Sequence, residues 1–430
     1  MSAPSWRPTI AHVRATTLGL GLAAFGLLAR RPDFVVLATP LLLIAAWAAT
    51  SRPQRNPVVR QSVDQRSLRE GEATTWRVHI DDAAGADDLG VVLDAPRYVA
   101  MDPVHGGVAG AVSDGRSELT VALRTTRWGR RAIGPATVVA TSAWAGFRWQ
   151  PVRGAATAIN TLPLAGAFSA SSTPASAAGL VGLDRSPRVG DGSEFAGIRP
   201  FQSGDRLRRV HWARSARSGV LHVTTTWSDH DRHIVVLVDA SRDLGVSGGI
   251  DGAASSLDTT VRAAGAIAEH HLHRGDRVAL QIIGARGVSS VPPATGVAHL
   301  RRILDRLSTI EPASSDRDEA RLHLALPAGV LVVMLSPLIS PLALERAVSA
   351  ARRGIDVAVV DTLPSGLVDE PSDDPMRSIA WRIRLLERRR EIRRVRELGI
   401  PLVVWRGPGS LDEVLREMHR RARAPRAVRR

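Results

Sequence analysis

The chain has 430 residues and a formal net charge of +15, and all 57 of its basic side chains are arginine. It contains no cysteine, which excludes disulfides, thiolate nucleophiles and cysteine-based zinc sites. Aromatic residues amount to only 4%, with Tyr98 as the single tyrosine, which is too few for a surface that stacks single-stranded nucleic acid. The positive charge is compatible with a nucleic acid, an anionic membrane surface or an acidic partner, and we expect no nucleic acid.

Two apolar runs, at about residues 15–29 and 34–50, predict an N-terminal transmembrane helical hairpin within residues 1–55. Each run is slightly short for a hydrocarbon core of about 30 Å, and flanking arginines can extend its reach. More arginines lie outside the two runs than in the turn between them, so the positive-inside rule places both ends and the main body in the cytoplasm. We therefore expect the protein in the cytoplasmic membrane. A cleaved signal peptide and a buried soluble hairpin are the alternatives.

Residues 56–153 contain short alternating runs separated by Gly, Asp and Pro, which predict a β-sandwich-like domain. The clearest predicted strands are residues 74–80, 89–95, 117–126 and 136–143. Arg127-Trp128-Gly129 is typical of a turn between two strands. Residues 154–228 are assigned to one further strand near 158–163, a linker and an arginine-rich segment.

Residues 229–430 alternate between strand and helix patterns. Apolar runs bounded by charge, such as residues 233–239, predict buried parallel strands, and the segments between them have helical period. Repeated strand–helix units imply a doubly wound α/β domain with helices on both faces of a parallel sheet. Further predicted strands are residues 277–283, 329–336, 355–361 and 400–405, and predicted helices are residues 257–273, 297–310, 341–353, 377–397 and 409–422.

Polar residues follow two strands at the edge of the sheet where ligands of such folds bind. The first strand ends in Asp239-Ala240-Ser241-Arg242-Asp243, and the strand over 329–336 ends in Ser336-Pro337. Oxygen atoms of Asp239, Ser241, Asp243 and Ser336 could converge on a hard cation such as Mg²⁺. The alternative is a degenerate site that only packs the loop. We assign no catalytic residue and no certain cofactor.

This pattern resembles the metal-ion-dependent adhesion site of von Willebrand factor A domains, where a strand ends in Asp-x-Ser-x-Ser. The resemblance implies a von Willebrand A-like fold for residues 229–430 and a Mg²⁺ site. The chain departs from the pattern, because Asp243 replaces the second serine and Ser336-Pro337 stands where Ser-Asp or Thr-Asp is usual. Ser314 and Ser315 are the nearest candidates for the distal threonine.

The stretch GDGSEFAGIRPFQSGDRLRRVHWARSARSGVLHV, residues 190–223, is hereafter the signature segment. Its order of Gly-Asp, Arg, Trp and Ser-Ala-Arg motifs resembles domain-of-unknown-function family 58. The residues that carry the resemblance are Asp191, Glu194, Phe195, Arg199, Gly204, Asp205, Arg208, Trp212, Ser215, Ala216 and Arg217. The resemblance implies bacterial membrane proteins with a β-rich region and a von Willebrand A-like domain. It also implies association with MoxR-type AAA+ ATPases and with transglutaminase-like proteins, but supplies no known reaction.

Within the signature segment, Ser203-Gly204-Asp205 predicts the start of a helix over residues 206–215, with Ser203 or Asp205 as its cap. Such a helix would bury an apolar strip that includes Leu207 and Val210 while it presents guanidinium groups. The segment would thus combine a packed face with a basic one.

Three interpretations of the signature segment stay open. In the first, Glu194 and Asp205 pair with arginines and hold the segment against the neighbouring domains. The arginines considered for this role are Arg199, Arg208 and Arg214. In the second, the arginines bind an acidic partner or a phosphate. In the third, His211 acts as a base beside Asp205 or Asp191.

Taken with the resemblance, these features predict a membrane-tethered, non-enzymatic interaction or adaptor protein. It is expected to work with a MoxR-type ATPase in the assembly or maturation of other proteins. The first alternative is a metal-dependent hydrolase-type enzyme that uses the Asp239 site. The second alternative is a basic nucleic-acid-binding protein, which would bind with a strong dependence on salt.

Overall fold

The fold is taken from a computed structural model. The structure describes residues 5–149, 151–164, 189–227, 233–285, 290–312, 330–367 and 374–407. Within these ranges, the side chains of residues 189–194, 196, 226–227, 342 and 377 are not described. The predicted helix over 409–422 and the candidates Ser314 and Ser315 lie outside the described residues.

The chain begins with a short strand, β1 (Trp6–Pro8), followed by two apolar helices, α1 (Ile10–Leu28) and α2 (Pro32–Thr50). Thr9 caps α1 by accepting a hydrogen bond from the His12 N–H group at 3.1 Å. Most apolar side chains of the two helices are exposed. By length and composition, both helices could cross a membrane. Strand β1 was not predicted, and both helices begin earlier than the apolar runs indicated.

The middle domain consists of short strands in three sheets. Their order is β1-β11-β10-β5-β7 with β12 beside β10, then β2-β4-β8-β6, and β3-β13-β9. The bounds are β2 (Val58–Val63), β3 (Ser67–Arg69), β4 (Ala73–Asp81), β5 (Ala86–Leu93), β6 (Val99–Asp102), β7 (Gly107–Ala111), β8 (Ser117–Thr125), β9 (Gly129–Ile133), β10 (Ala136–Ser142), β11 (Phe147–Trp149), β12 (Val152–Arg153) and β13 (Thr157–Leu162).

Alternation along these strands directs one face inward. In β4, Trp76 and Val78 are buried while Arg77 between them is not, and in β5 Val91 is buried. These side chains lie in one core that also includes Val138 of β10. A core shared between antiparallel sheets gives the middle domain the sandwich-like layering that the alternating sequence predicted.

The signature segment forms a small unit of its own. Strands β14 (Val189–Pro200) and β15 (His222–Trp227) pair antiparallel, and helix α3 (Trp212–Ser218) lies between them in sequence. The prediction of one helix over residues 206–215 is wrong. Residues 207–209 form a separate 3₁₀ turn, and Val210 forms a β-bridge with Val223 of β15. Pairing with β15 keeps this stretch out of the helix.

The α/β domain contains a six-stranded sheet in the order β18-β17-β16-β19-β20-β21, parallel except for the edge strand β18. The strands are β16 (His233–Asp239), β17 (Arg277–Ile283), β18 (Ser290–Ala294), β19 (Leu331–Ser336), β20 (Asp356–Asp361) and β21 (Leu402–Val404). The helices are α4 (Ser256–His273), α5 (Val297–Leu307), α6 (Pro341–Arg352) and α7 (Pro375–Glu397).

Both faces of this sheet are covered by helices. Val236 of β16 lies in a buried cluster with Ile267 of α4 and Leu304 of α5. Val235, the next residue on β16, lies in a cluster on the other face with Leu344 of α6 and Val395 of α7. A parallel sheet covered on both faces agrees with the predicted α/β architecture, and the carboxyl ends of β16, β19 and β20 meet at one edge.

Candidate functional site

The structure brings Asp239, Ser241 and Ser336 together at the carboxyl edge of the sheet, and these three residues are hereafter the Asp239 cluster. The Ser241 hydroxyl donates to Asp239 Oδ1 at 2.6 Å, and the Ser241 N–H group donates to the same oxygen at 3.1 Å. The Ser336 hydroxyl donates to Asp239 Oδ2 at 2.5 Å. All three residues are buried. The hydrogen bonds offset the cost of burying a carboxylate.

Gly284, the residue that follows β17, lies against the Asp239 cluster. Gly284 has φ +70°, and a Cβ atom at this position would lie 2.3 Å from Ser241 Cα. On the other side, the Leu338 N–H group donates to the Ser336 hydroxyl at 2.9 Å. The cluster is therefore enclosed by backbone from two neighbouring strand ends, and Gly284 is the residue that permits the closest approach.

Asp243 is directed to different donors. Its Oδ1 accepts the N–H group of Leu257 at 3.1 Å, in the first turn of α4, where the helix dipole favours negative charge. Its Oδ2 accepts from the Arg127 guanidinium at 3.2 Å. Arg127 belongs to the turn between β8 and β9, so the carboxylate predicted as a metal ligand is instead bound by a cation from the middle domain.

Three of the four predicted Mg²⁺ ligands, Asp239, Ser241 and Ser336, lie together, whereas the carboxylate of the fourth, Asp243, is bound by the Arg127 guanidinium. A magnesium ion requires near-octahedral oxygen ligands and would be repelled by that guanidinium. Within the described residues, no group of three or more His, Asp or Glu side chains is placed to hold a metal ion. Ser314 and Ser315 lie outside those residues.

Arg127 also binds Asp258, a fully buried residue of α4, through a 2.7 Å hydrogen bond from Nε to Oδ1. Asp258 belongs to a capping box with Ser255. Burial would lower the pKa of Arg127, but the charges of Asp258 and Asp243 and the hydrogen bond to Asp258 outweigh burial and hold that pKa above its ordinary value. Arg127 therefore stays cationic between the two domains.

A second buried ion pair joins the same two domains. The carboxylate of Glu70, which follows β3, accepts two hydrogen bonds from the Arg262 guanidinium of α4, at 2.9 and 2.8 Å. It also accepts the backbone N–H groups of Trp128 at 3.0 Å and Leu164 at 2.9 Å. The two sets of contacts, Arg127 with Asp243 and Asp258, and Arg262 with Glu70, are hereafter the interdomain clasp.

A third guanidinium lies at the carboxyl ends of β19 and β20. Arg388 of α7 donates to the Asp361 carboxylate at the end of β20 and to the Pro337 carbonyl oxygen at 2.9 Å. Burial raises the pKa of Asp361, and the charge of Arg388 opposes that rise. The Asp361 carboxylate is thus neutralised by a neighbouring helix rather than left open to a ligand.

In the signature segment, Arg199 and Asp205 form a bidentate ion pair with both nitrogen–oxygen distances at 2.7 Å. The Gln202 N–H group donates to the same carboxylate at 2.8 Å. The hydrogen bond from Arg199, followed by the one from Gln202, lowers the pKa of Asp205. Gly204 has φ +101°, a left-handed conformation that suits glycine, and it lets the turn close around Asp205. Asp205 therefore locks the turn instead of capping a helix.

His211 caps α3, because its Nδ1 accepts the Arg214 N–H group at 3.2 Å. Among the residues that the structure describes, no carboxylate hydrogen-bonds to His211, so the geometry gives no support to a catalytic base there. Ser215 is buried and accepts the His222 N–H group at 2.8 Å, which ties α3 to β15. Ala216 and Arg217 lie on the exposed side of the same helix.

The signature segment exposes large apolar side chains next to its arginines. Trp212 is 69% exposed, Leu207 69% and Phe195 61%. Arg208, Arg214 and Arg217 are also exposed. These six residues are hereafter the signature surface. Asp191 and Glu194 lie in β14, and their predicted ion pairs fall outside the described side chains.

Residues 197–370 match the model of a family described as protein of unknown function DUF58. The matched region begins within β14 of the signature segment and extends through β20. It contains the Asp239 cluster, Asp243 and the α4 partners of the interdomain clasp. Arg127 and Glu70 lie outside it, so the clasp joins the DUF58-matched region to a part of the chain that the family model does not cover.

The chain is also similar to uncharacterized proteins of Mycobacterium tuberculosis and Mycobacterium bovis. Each is 31% identical over 179 residues, which cover 40% of this chain and 48% of the relative. The chain therefore spans about half the length of these relatives.

Two solved structures resemble part of the chain. One is the CARDB domain of the PF1109 protein from Pyrococcus furiosus in complex with di-metal ions, at 12% identity and a TM-score of 0.15. The other is a non-cellulosomal cohesin from Archaeoglobus fulgidus, at 12% identity and a TM-score of 0.16. They cover 24% of this chain and 93% and 91% of their own chains.

The interdomain clasp is the buried polar feature that sequence reasoning missed. One signal was available, because Ser255-Ser256-Leu257-Asp258 has the spacing of a capping box and predicts a helix start. Arg127 was recognised only as part of a turn. Its reach into α4 depends on how two domains dock, which local patterns do not encode.

Proposed function

We propose that this protein is a membrane-anchored adaptor that binds a MoxR-type AAA+ ATPase through the signature surface. Helices α1 and α2 would anchor the chain with its main body in the cytoplasm. The α/β domain, for which a von Willebrand A-like fold is part of the proposal, would present the signature surface. The adaptor would serve the assembly or maturation of other proteins, in which a transglutaminase-like protein is a further candidate partner.

The observation that carries the proposal is the signature surface itself. Tryptophan and arginine are enriched among the residues that contribute most to binding energy at protein interfaces, and large exposed apolar patches mark interaction sites. The Arg199–Asp205 ion pair and the Ser215 contacts hold the segment in one conformation, which lowers the entropy cost of binding. Its excess of arginine suits an acidic partner surface.

We propose a non-enzymatic role because the carboxylates that could serve catalysis are already hydrogen-bonded to other side chains. Asp239 is held by two hydroxyl groups, Asp243 by Arg127 and Asp361 by Arg388. A hydrolase-type enzyme would need one of these carboxylates, or His211, to be available to a substrate or to a water molecule. Turnover that depends on Asp239 and is lost in Asp239→Asn would favour that alternative.

The test is recovery of the ATPase on the tagged full chain from crosslinked, solubilised membranes, with and without Mg²⁺. Wild type is compared with Trp212→Ala and with Val104→Ala, a control because Val104 is an apolar side chain 86% exposed on the middle domain. Loss of an interface tryptophan typically reduces affinity by about ten-fold or more. We expect Trp212→Ala to lose the ATPase and Val104→Ala to retain it. Equal recovery by all three chains, or no MoxR-type ATPase in any condition, would contradict the proposal.

A further inference from the structure

The middle domain holds both ends of the helical hairpin. Before α1, strand β1 pairs antiparallel with β11, so that Trp6 lies opposite Trp149 and Pro8 opposite Phe147. The Thr9 N–H group donates to the Gly146 carbonyl oxygen at 3.0 Å, and its hydroxyl donates to the Ala145 carbonyl oxygen at 2.6 Å. Helix α1 therefore starts directly from a strand of the middle domain, with Thr9 between them.

The end of α2 is fixed to the same place. A Cβ atom at Gly146 would lie 2.5 Å from the Cβ atom of Ala48, which shows how closely the loop and α2 approach. After α2, the Trp6 indole N–H group donates to the Arg55 carbonyl oxygen at 2.9 Å. The Arg52 guanidinium lies 5.2 Å from the centre of the Phe147 ring. The segment that follows α2 is thus also bound to the middle domain.

Between β10 and β11, residues 143–146 contact both helices and are hereafter the seat loop. The loop presents Trp144 outward, at 67% exposure. Trp144 (φ 56°) and Ala145 (φ 53°) are both left-handed, a conformation that disfavours residues with a Cβ atom. A lipid interface would stabilise a large aromatic ring that is exposed in this way.

We infer that the seat loop lies in the lipid headgroup region, with Trp144 as a third point of attachment beside the two helices. The inference rests on the proposed membrane anchoring. Tryptophan is enriched at the membrane interface because its ring is apolar and its N–H group can bond to water or headgroups. Trp47, 66% exposed near the end of α2, lies at the same end of the hairpin. The ligand of this surface is a phospholipid bilayer.

If the seat loop lies in the headgroup region, the middle domain sets the distance between the α/β domain and the bilayer. Strand β8 runs from Ser117 to Thr125. Near its start, Gly115 lies against Ala84, and Gly85 lies against Pro53, which follows α2. Near its end, Arg124 binds Asp251 of the α/β domain. The nine residues of β8 span about 25–30 Å. The α/β domain would therefore be held away from the bilayer by a rigid spacer, where a soluble partner can reach the signature surface.

The test is depth-dependent quenching of tryptophan fluorescence. The full chain is placed in nanodiscs of phosphatidylcholine and phosphatidylglycerol, with nitroxide carried either on the headgroup or deep in the acyl chain. Wild type is compared with Trp144→Phe, Trp47→Phe and Trp212→Phe, since the conservative change to Phe keeps the fold. If Trp47 and Trp144 supply most of the emission near headgroups, each of their variants should lose roughly half of the headgroup-quenched signal. Trp212→Phe should lose none.

The quenching results distinguish a seat loop that lies outside the headgroup region from a hairpin that is not in the membrane. If Trp47→Phe reduces headgroup quenching and Trp144→Phe does not, the hairpin is in the membrane and the seat loop is not, which overturns the inference alone. If the chain does not enter nanodiscs and neither variant changes quenching, the anchoring proposal fails together with the inference.

Discussion

The Asp239 cluster and the interdomain clasp both bury carboxylates, but they satisfy them in opposite ways. Asp239 receives uncharged hydroxyl and N–H donors from its own domain. Glu70 and Asp258 receive guanidinium groups from across a domain boundary. The donors to Asp239 are uncharged, whereas guanidinium groups bring a positive charge to the carboxylates of the clasp. The difference indicates that the clasp holds domains together and that the Asp239 cluster shapes the edge of one sheet.

We expect the largest loss of stability from Glu70→Ala. Removal of this carboxylate leaves Arg262 and two backbone N–H groups without their acceptor, which should lower the free energy of unfolding by about 3–5 kcal/mol. Denaturant unfolding of the full chain in detergent measures it. The double variant with Arg262→Ala should recover part of the loss. Asp64→Asn, which breaks an exposed pair with Arg77, serves as the control and should have little effect. A loss no greater than that control would contradict a structural role for the clasp.

Arg127→Ala should destabilise the protein by about 3 kcal/mol, because Asp258 and Asp243 lose their shared cation. The two carboxylates would then be free to attract another cation. Millimolar Mg²⁺ should therefore raise the thermal midpoint of Arg127→Ala more than that of wild type, as calorimetry can measure. The response should disappear in Arg127→Ala combined with Asp243→Asn. An equal response in wild type would show that the site holds Mg²⁺ with Arg127 in place.

Gly284→Ala probes the Asp239 cluster from its own side. The added methyl group would overlap the Ser241 backbone, and the positive φ adds backbone strain, so we expect a loss of about 1–3 kcal/mol. Gly275 is the matched control, since its φ is +85° and a Cβ atom there would have no neighbour within 4 Å. Gly275→Ala should cost about 1 kcal/mol from backbone conformation alone. Equal losses in the two variants would mean that the loop around Ser241 can move aside.

The smallest effect concerns pH and the signature segment. The folded-state pKa of Asp205 is lowered by Arg199 and Gln202, so the turn is stabilised above the unfolded value of about 3.9 and loses that stability as pH falls through the folded pKa. Hydrogen exchange of the Gln202 amide, corrected for intrinsic rate, should show protection near neutral pH that declines only below about pH 4. Asp205→Asn should lack this protection throughout. A wild-type decline that is complete well above about pH 4 would contradict the role of the Asp205 carboxylate.

Local patterns predicted the α/β layers and the location of Asp239 and Ser336 at one edge of the sheet, because parallel strands bring their carboxyl ends to one edge. They failed where tertiary contacts overrode local preference. The Ser203-Gly204-Asp205 pattern predicted a helix cap, but the Asp205 carboxylate accepts hydrogen bonds from Arg199 instead. Strand β1 has only three residues, one of them proline, which gives no strand signal of its own. Guanidinium groups that reach across domains could not be placed without the docked structure.

Trp128 has a consequence for how the molecule can be divided. Its ring and Leu162 come from the middle domain but lie in the buried cluster of the α/β domain, with Val261 and Ala264 of α4. A fragment cut at the limits of the DUF58-matched region would lose both side chains and leave an apolar cavity beside α4. We therefore expect a fragment limited to residues 197–370 to be less stable than a chain that keeps both domains in one polypeptide.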